Sequence, residues 1–577
     1  MDSRIAKTLI NSSMGREKAD LAIRNARVID VYNQDIFEAS VYVKDGYIIG
    51  FDGDREALSE IDAEGRYLIP GFIDGHCHIE SSHLSPSEFS DAVVPCGTTT
   101  VIADPHEICN VAGLDALSYM LKSAENAPLQ IFYMFPSCVP ATPFEHSGAV
   151  LEADSIEKAI DNPKILGLGE MMNYPGIINA DESVLAKLEC AYKRGKNIDG
   201  HAPSITGQGL DAYILTGITT DHECETPEEM REKIRKGMYV MLRQGTACKN
   251  VLQLLPGIDG KNYRKALFCT DDRQPQSITR EGHINYAVNL AISAGMDPLM
   301  AITIATLNAS ECYCLKDRGA IAPGKRADFF LSESISEIKP TDVFIGGRLA
   351  GQKGRATIRA PHIVPEGVSG MMDIRDFSKK KLSLKLKSSR VRIIDIIPGG
   401  VVTGRGEATV RMADDGEWIH DPDDDILKLA VIERHHGTGN AGVALIRGYG
   451  MKHGAVATSI AHDSHNIIVI GDNDDDMEAA VNDLAEMGGG ITMFRDGVKL
   501  GSHPLEIGGL MTDLPLEEVT ECLDRLHDIA ERELHVNKEI DPFMTLCFMA
   551  LPVIPSYKLT DCGLFDVTSF SFVDINM

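Results

Sequence analysis

The chain has 577 residues, room for three or four domains at about 150 residues each, or for one (β/α)8-type barrel of roughly 250 residues with additions. Its 56 Lys and Arg against 85 Asp and Glu leave a net charge of −29, which argues against a nucleic-acid partner and against an anionic membrane surface. Apolar residues at 44% and charged residues at 24% exclude a disordered chain, and no apolar run approaches the ~18 residues of a membrane span.

In chain order, the N-terminus, MDSRIAKTLINSSMGREKAD, has charges where a signal peptide needs its apolar stretch. Residues 20–70 read as short β segments, with turn signals such as KDG at 44–46. From about 70 to 315, β-like runs (GTTTVIADP, LQIFYMFP, ILGLGEM, NIDGHAP, GITTDHE, KALFCTDD) alternate with helix-like stretches such as DESVLAKLECAYKRG and TPEEMREKIRKG. Strands alternating with helices imply βα units and a parallel sheet, and eight units would close a barrel. β-like text returns at 317–358 and matches the style of 20–70, so the two pieces could complete one small β unit across the barrel. A basic stretch, SKKKLSLKLKSSRVR (378–392), reads as a solvated strand or linker before a mixed α and β terminal segment. The expected divisions are 1–70, 71–315, 316–377 and 378–577. Thirteen scattered cysteines with no CxxC pair fit the reduced thiols of a cytoplasmic protein.

The densest chemical signal is PGFIDGHCHIE at 70–80. Alternation along a strand points His76 and His78 to the same side, a good start for a metal site at the C-terminal mouth of a barrel. Later β-like runs also end in ligand-type residues: Glu170, His201, His222 and Asp271. Four imidazoles and two carboxylates from five strands suit Zn²⁺, Mn²⁺ or Fe²⁺, and suffice for two ions if one carboxylate bridges.

PGFIDGHCH resembles the first-strand signature of the amidohydrolase superfamily, with the later His, His and Asp in that family's order. Within it the chain is most similar to bacterial and archaeal adenine deaminases, through IADPHEI (102–108), GLGEMMNYPG (167–176), FCTDDRQP (268–275) and IAHDSHNIIVIG (460–471). The resemblance implies a TIM-like (β/α)8 barrel, a small β-sandwich built from both sides of it, and a C-terminal α+β domain. It also implies a cytoplasmic adenine aminohydrolase of purine salvage acting on adenine and water, with two divalent ions (Mn²⁺ or Fe²⁺ favoured, Zn²⁺ accepted). A homo-oligomer, no nucleic acid and no membrane complete the expectation. Many relatives bridge their metals with a carboxylated lysine; here Glu170 stands in that place, and HAPSITG (201–207) lacks the acid of mononuclear deaminases. His76, His78 and Asp271 would hold one ion, His201 and His222 the other, with Glu170 between them.

On this reading Asp271 accepts a proton from the nucleophile, and Asp272 meets a purine nitrogen or the leaving amine. Asp104, His106 and Glu107 orient the base, relay protons or bind a further ion, with a helix N-cap at Asp104 as the plain alternative. Glu80 and His83 follow the HxH as loop or supporting residues. His283 is placed either on the pocket wall or on a surface helix. His462 and His465, with His435, His436 and His453, either reach the barrel mouth, hold an ion or pack between domains. GxGxxG at 437–442 meets the bare dinucleotide pattern, yet β-branched VALIRGYG follows, so tight turns are expected. Two alternatives stay open: a binuclear amidohydrolase for another nucleobase or a cyclic amide, and a catalytically silent barrel acting as a binding subunit.

Overall fold

The computed structural model describes residues 3–375 and 377–577; residues 1, 2 and 376, in the first and third expected divisions, lie outside the described residues. Eight parallel strands run through the middle of the chain. Phe72–Cys77, Thr98–Ala103, Gln130–Phe135, Ile165–Met171 and Asn197–Gly200 pair side by side, and Thr220–Asp221, Tyr239–Arg243 and Ala266–Cys269 form a second arc. The arcs meet at both seams. Thr219 N–H donates to Ile198 O at 3.0 Å, and Asp271 N–H donates to His76 O at 3.0 Å. The barrel strands are apolar on both faces because side chains fill one side and helices cover the other. TTTVIA of the second strand is buried at every position.

Six of the eight barrel strands coincide with the β-like runs read between 98 and 269, and the first ends at the HxH. The seventh, Tyr239–Arg243, was not read as a strand; its YVML core is short and sits directly behind the helix Pro227–Arg235. Helices fall where their caps specify. Asp181 accepts from the N–H groups of Ser183 and Val184 ahead of Glu182–Tyr192, and Thr226 accepts from Glu229 N–H ahead of Pro227–Arg235.

Segments on both sides of the barrel form one nine-stranded sheet. Tyr67–Pro70 lies next to Phe329–Ser332, which joins the strands of 19–62 to those of 340–356. Its inner face carries an apolar cluster that includes Ile23, Val28, Leu68, Phe329 and Phe344. An eight-stranded, largely antiparallel sheet occupies 390–504, flanked by the helices Asp474–Met487 and Leu516–Arg532. Gly437 and Gly439 adopt φ of +60° and +70° in a turn that leads into the strand Ala441–Arg447. With no helix there, the glycines build no phosphate cradle. The basic stretch forms one short turn at Lys379–Leu382 and then enters the strand Arg390–Ile396. Among the described residues no helix is long and apolar enough to cross a membrane.

Candidate active site

The barrel mouth gathers the six ligand-type residues into one cluster. His76 Nε2 lies 3.2 Å from His78 Nε2, and each approaches Asp271 Oδ1, at 3.5 and 3.2 Å. Glu170 spans the other side, with Oε1 3.4 Å from His78 Nε2 and Oε2 2.8 Å from His201 Nδ1 and 3.2 Å from His222 Nε2. Five of the six are buried and His201 is half-buried.

The donor chemistry of this cluster fits a cation. His78 Nδ1 stands 2.9 Å from the carbonyl of Asp104, which can only accept, so Nδ1 carries the proton and Nε2 turns its lone pair inward. Burial alone would lower the pKa of His78 and His222. The carboxylate of Asp271, accepting from His78, that of Glu170, accepting from His222, and the carboxylate charges around them raise both well above the ordinary range. Burial would likewise raise Glu170 and Asp271, yet His201 and His222 hold the first, and Arg243 and His76 the second, well below the usual carboxylate range. The cluster asks for positive charge, which a divalent ion supplies.

Local backbone explains how these groups converge. Asp271 adopts a left-handed conformation, φ +57°, just past the eighth strand, a strain of about 1 kcal/mol that turns its carboxylate over the first strand. Asp104 Oδ2 accepts the backbone N–H of Glu170 at 2.9 Å. A Cβ at Gly169 would come within 2.1 Å of that oxygen, so only glycine fits there. The helix-cap alternative for Asp104 is thereby corrected: Pro105 occupies the cap position of His106–Ala124, and the carboxylate is spent on Glu170.

Two residues missed in the sequence complete the floor. Arg243 ends the seventh strand and donates from Nη1 to Asp271 Oδ2 at 2.8 Å and to Glu223 Oε1. Glu223 Oε1 in turn lies 3.3 Å from His222 Nε2. Counting β-like runs up to eight would have singled out YVML and the arginine at its end. Behind the floor, Lys233 Nζ donates to Asp221, Glu229 and the carbonyl of Ala202, which ties the two loops carrying His201 and His222.

Above the cluster lies a cavity with a polar barrel wall and an apolar wall from the C-terminal region. Glu80, Ser81, His83, Glu107, Asp272 and Gln274 face Ile460, Leu510, Leu523, Phe543 and Phe548, with His462 between. Ser81 Oγ donates to Asp272 Oδ1 at 2.5 Å. Burial and the charge of Asp271 push Asp272 up to about 6, and burial with the charge of Glu107 pushes Glu80 up to about 7. Glu80 also accepts Ile108 N–H, which fixes the turn between the two walls. His106 connects cavity and cluster, its Nδ1 3.3 Å from Glu170 Oε1 and its Nε2 3.7 Å from Glu107 Oε1.

His462 and His465 do reach the barrel mouth, where they grip Glu107. His462 Nδ1 lies 2.8 Å from Oε1, and His465 Nε2 2.5 Å from Oε2. Ala461 N–H donates to His465 Nδ1, so in the neutral ring the proton sits on Nε2 and points at Glu107. Glu107, His462 and His465 also lie close enough together to hold an ion. Burial would raise Glu107, yet the two imidazoles hold it well below the usual range. His435 and His436 bond the backbone carbonyls of Ser464 and Ser147, and His453 pairs with Asp472 and Asp496. His283 is corrected on both counts. It is neither on a surface helix nor among the residues lining the cavity, but is buried at the start of a helix against Thr98 and Asp74, whose Oδ1 accepts the N–H of His76.

The model of the amidohydrolase family matches residues 67–350, and that of the adenine deaminase C-terminal domain matches residues 400–571. An adenine deaminase of Nitratidesulfovibrio vulgaris (strain DP4) is 48% identical over 99% of this chain and 98% of its own. Adenine deaminase 2 of Desulfotalea psychrophila is 48% identical over the whole of both chains, and that of Carboxydothermus hydrogenoformans 47% identical over 99% of each.

Proposed function

The chain belongs to the adenine deaminase family of the amidohydrolases, and from that premise we propose that its barrel mouth hydrolyses adenine to hypoxanthine and ammonia. The observation that carries the reading is the adjacency of cluster and cavity. A cluster of four imidazoles and two carboxylates adjoins, through His106 and Asp272, a cavity whose walls pair acidic groups with apolar side chains. His76, His78 and Asp271 would hold one ion and His201 and His222 the other, with Glu170 available to both. Two divalent ions, Mn²⁺ or Fe²⁺ ahead of Zn²⁺, supply the Lewis acidity that lowers the pKa of water from about 15.7 toward about 7.

The protein's own groups do the rest. The apolar wall takes the faces of the purine ring, and Phe548, already stacked on His462 at 4.5 Å between ring centroids, sets the plane. Asp272 meets a ring nitrogen or the C6 amine. Water oxygen adds at C6, and its proton passes to Asp271 Oδ1, the oxygen that Arg243 leaves to the cluster. Delivery of that proton to the C6 amine lets the C–N bond break and ammonia leave. Glu107, held from above by His462 and His465, is the second proton-handling carboxylate on the cavity wall. Asp104 acts from behind by fixing Glu170. The setting is a cytoplasmic enzyme of purine salvage, assembled as a homo-oligomer.

The test is ammonia release from adenine by purified protein, after chelation and again after adding Mn²⁺, Fe²⁺ or Zn²⁺. Metal-dependent release from adenine, with little from cytosine, is expected. Bound ions without ammonia from adenine would sink the reading and turn the screen to cyclic amides.

A further inference from the structure

Far along the chain from the cluster, the loop after the third barrel strand meets the hairpin Tyr557–Thr560/Gly563–Asp566 near the C-terminus. We propose that His146, Asp561 and Cys562 form a separate site for a zinc-class divalent cation, joining this loop to the terminal hairpin. Three observations carry it.

The first is geometric. His146 Nδ1 lies 3.6 Å from Cys562 Sγ, and Cys562 Sγ lies 3.7 Å from Asp561 Oδ2. The N–S and S–O edges of a tetrahedral zinc site come to about 3.5 Å, given metal–ligand bonds of about 2.0 to 2.3 Å. The third edge, Nδ1 to Oδ2, is a hydrogen bond of 2.6 Å, which opens to about 3.3 Å by a small turn of the His146 ring once its proton is displaced. That ring is 41% exposed and free to turn.

The second is an imbalance of charge. The Asp561 side chain is fully buried; its Oδ1 accepts the backbone N–H of His146 at 3.0 Å, and its ion pair is with the half-exposed His146 imidazole. A buried carboxylate whose ionic partner is one half-exposed imidazole is a setting in which a cation repays its desolvation.

The third is chemical selectivity. Thiol, imidazole and carboxylate together suit Zn²⁺ or Co²⁺ and disfavour Mg²⁺ or Ca²⁺, whereas the six residues of the barrel cluster offer no sulfur. Coordination deprotonates a thiol outright. No sequence motif marks this site, because His146 lies 415 residues before Asp561.

The experiment strips the full-length protein of metal, saturates it with Co²⁺ and records the near-ultraviolet thiolate-to-cobalt charge-transfer band. The wild type is expected to show the band, and Cys562→Ser and His146→Ala are each expected to lose it. Cys562→Ser should also retain one equivalent less Zn²⁺ after gel filtration while its ammonia release from adenine stays unchanged. No band in the wild type at saturation, or a band that persists in Cys562→Ser, overturns the site. Neither outcome touches the deaminase reading, which ammonia release alone decides.

Discussion

The floor and the cover of the cavity are built on different principles. The floor is polar, and strand ends fix it: His76, Glu170 and Asp271 stand in or directly beside barrel strands, and their backbones are tied to neighbouring strands or to Asp104. The cover is mostly apolar and comes from turns and helices of the C-terminal region, with Ile460, Leu523, Phe543 and Phe548 facing inward. Charge therefore concentrates where the backbone is most rigid, and shape where it is less so. On the proposed function, this division would place the chemical step in the barrel and the fit of the base in the C-terminal region. His462 and His465 are the exception that couples them, since they cross from the cover to hold a barrel carboxylate.

The largest effect should come from the floor. Glu170→Ala removes the one group that faces His78, His201 and His222 together. Turnover should fall by about 10³-fold or more, equivalent to roughly 4 kcal/mol of transition-state stabilisation, with loss of bound metal and an intact circular dichroism spectrum. Near-normal turnover with full metal content would remove Glu170 from the floor.

A smaller loss isolates the support beneath the ligands. In Arg243→Met, Asp271 keeps its place at the cluster but loses the charge that fixes Oδ2. kcat should drop by about 10- to 100-fold with metal content close to wild type. A change confined to KM would move Arg243 out of the chemical step.

The cover should respond in the other constant. Phe548→Ala deletes the ring stacked on His462, worth about 1 kcal/mol. KM for adenine should rise about 5-fold while kcat changes little, because the floor is untouched. Loss of kcat with constant KM would show that the cover takes part in the chemistry and would dissolve the division drawn above.

Much of the floor was legible in the sequence and little of the cover was. Ligand-type residues at the ends of β-like runs are read directly, because a strand's direction carries its C-terminal residue to the barrel mouth. Arg243 escaped because its strand follows a charged helix closely and ends in an arginine, not in a metal-ligand residue type. The cover escaped for a deeper reason. Ile460, Leu523 and Phe548 look like any core residues until the topology of an eight-stranded sheet places them over the barrel. His462 and His465 stand in IAHDSHNIIVIG, but their partner Glu107 lies more than 350 residues away, so the pairing needed coordinates. In the same way the nine-stranded sheet was suggested by matching β-like text on the two sides, whereas the Tyr67–Pro70 to Phe329–Ser332 pairing needed coordinates.

The smallest effect probes how the cover holds together at its rim. His453 donates to Asp472 at 2.7 Å and faces Asp496 at 3.0 Å, and these two hydrogen bonds raise its pKa to about 9. A proton held more tightly in the folded state stabilises it fully below the unfolded pKa of about 6.5. That contribution fades as the pH rises and is gone above about 9. His453 is nearly half exposed, so solvent screening keeps the effect to about 1 kcal/mol or less. Wild type should therefore melt slightly above His453→Asn at pH 6 and together with it at pH 10, with the gap at pH 6 narrowing in high salt. A gap that stays constant across this range would assign the contact to packing, leaving the rim of the cover as apolar in its energetics as its interior.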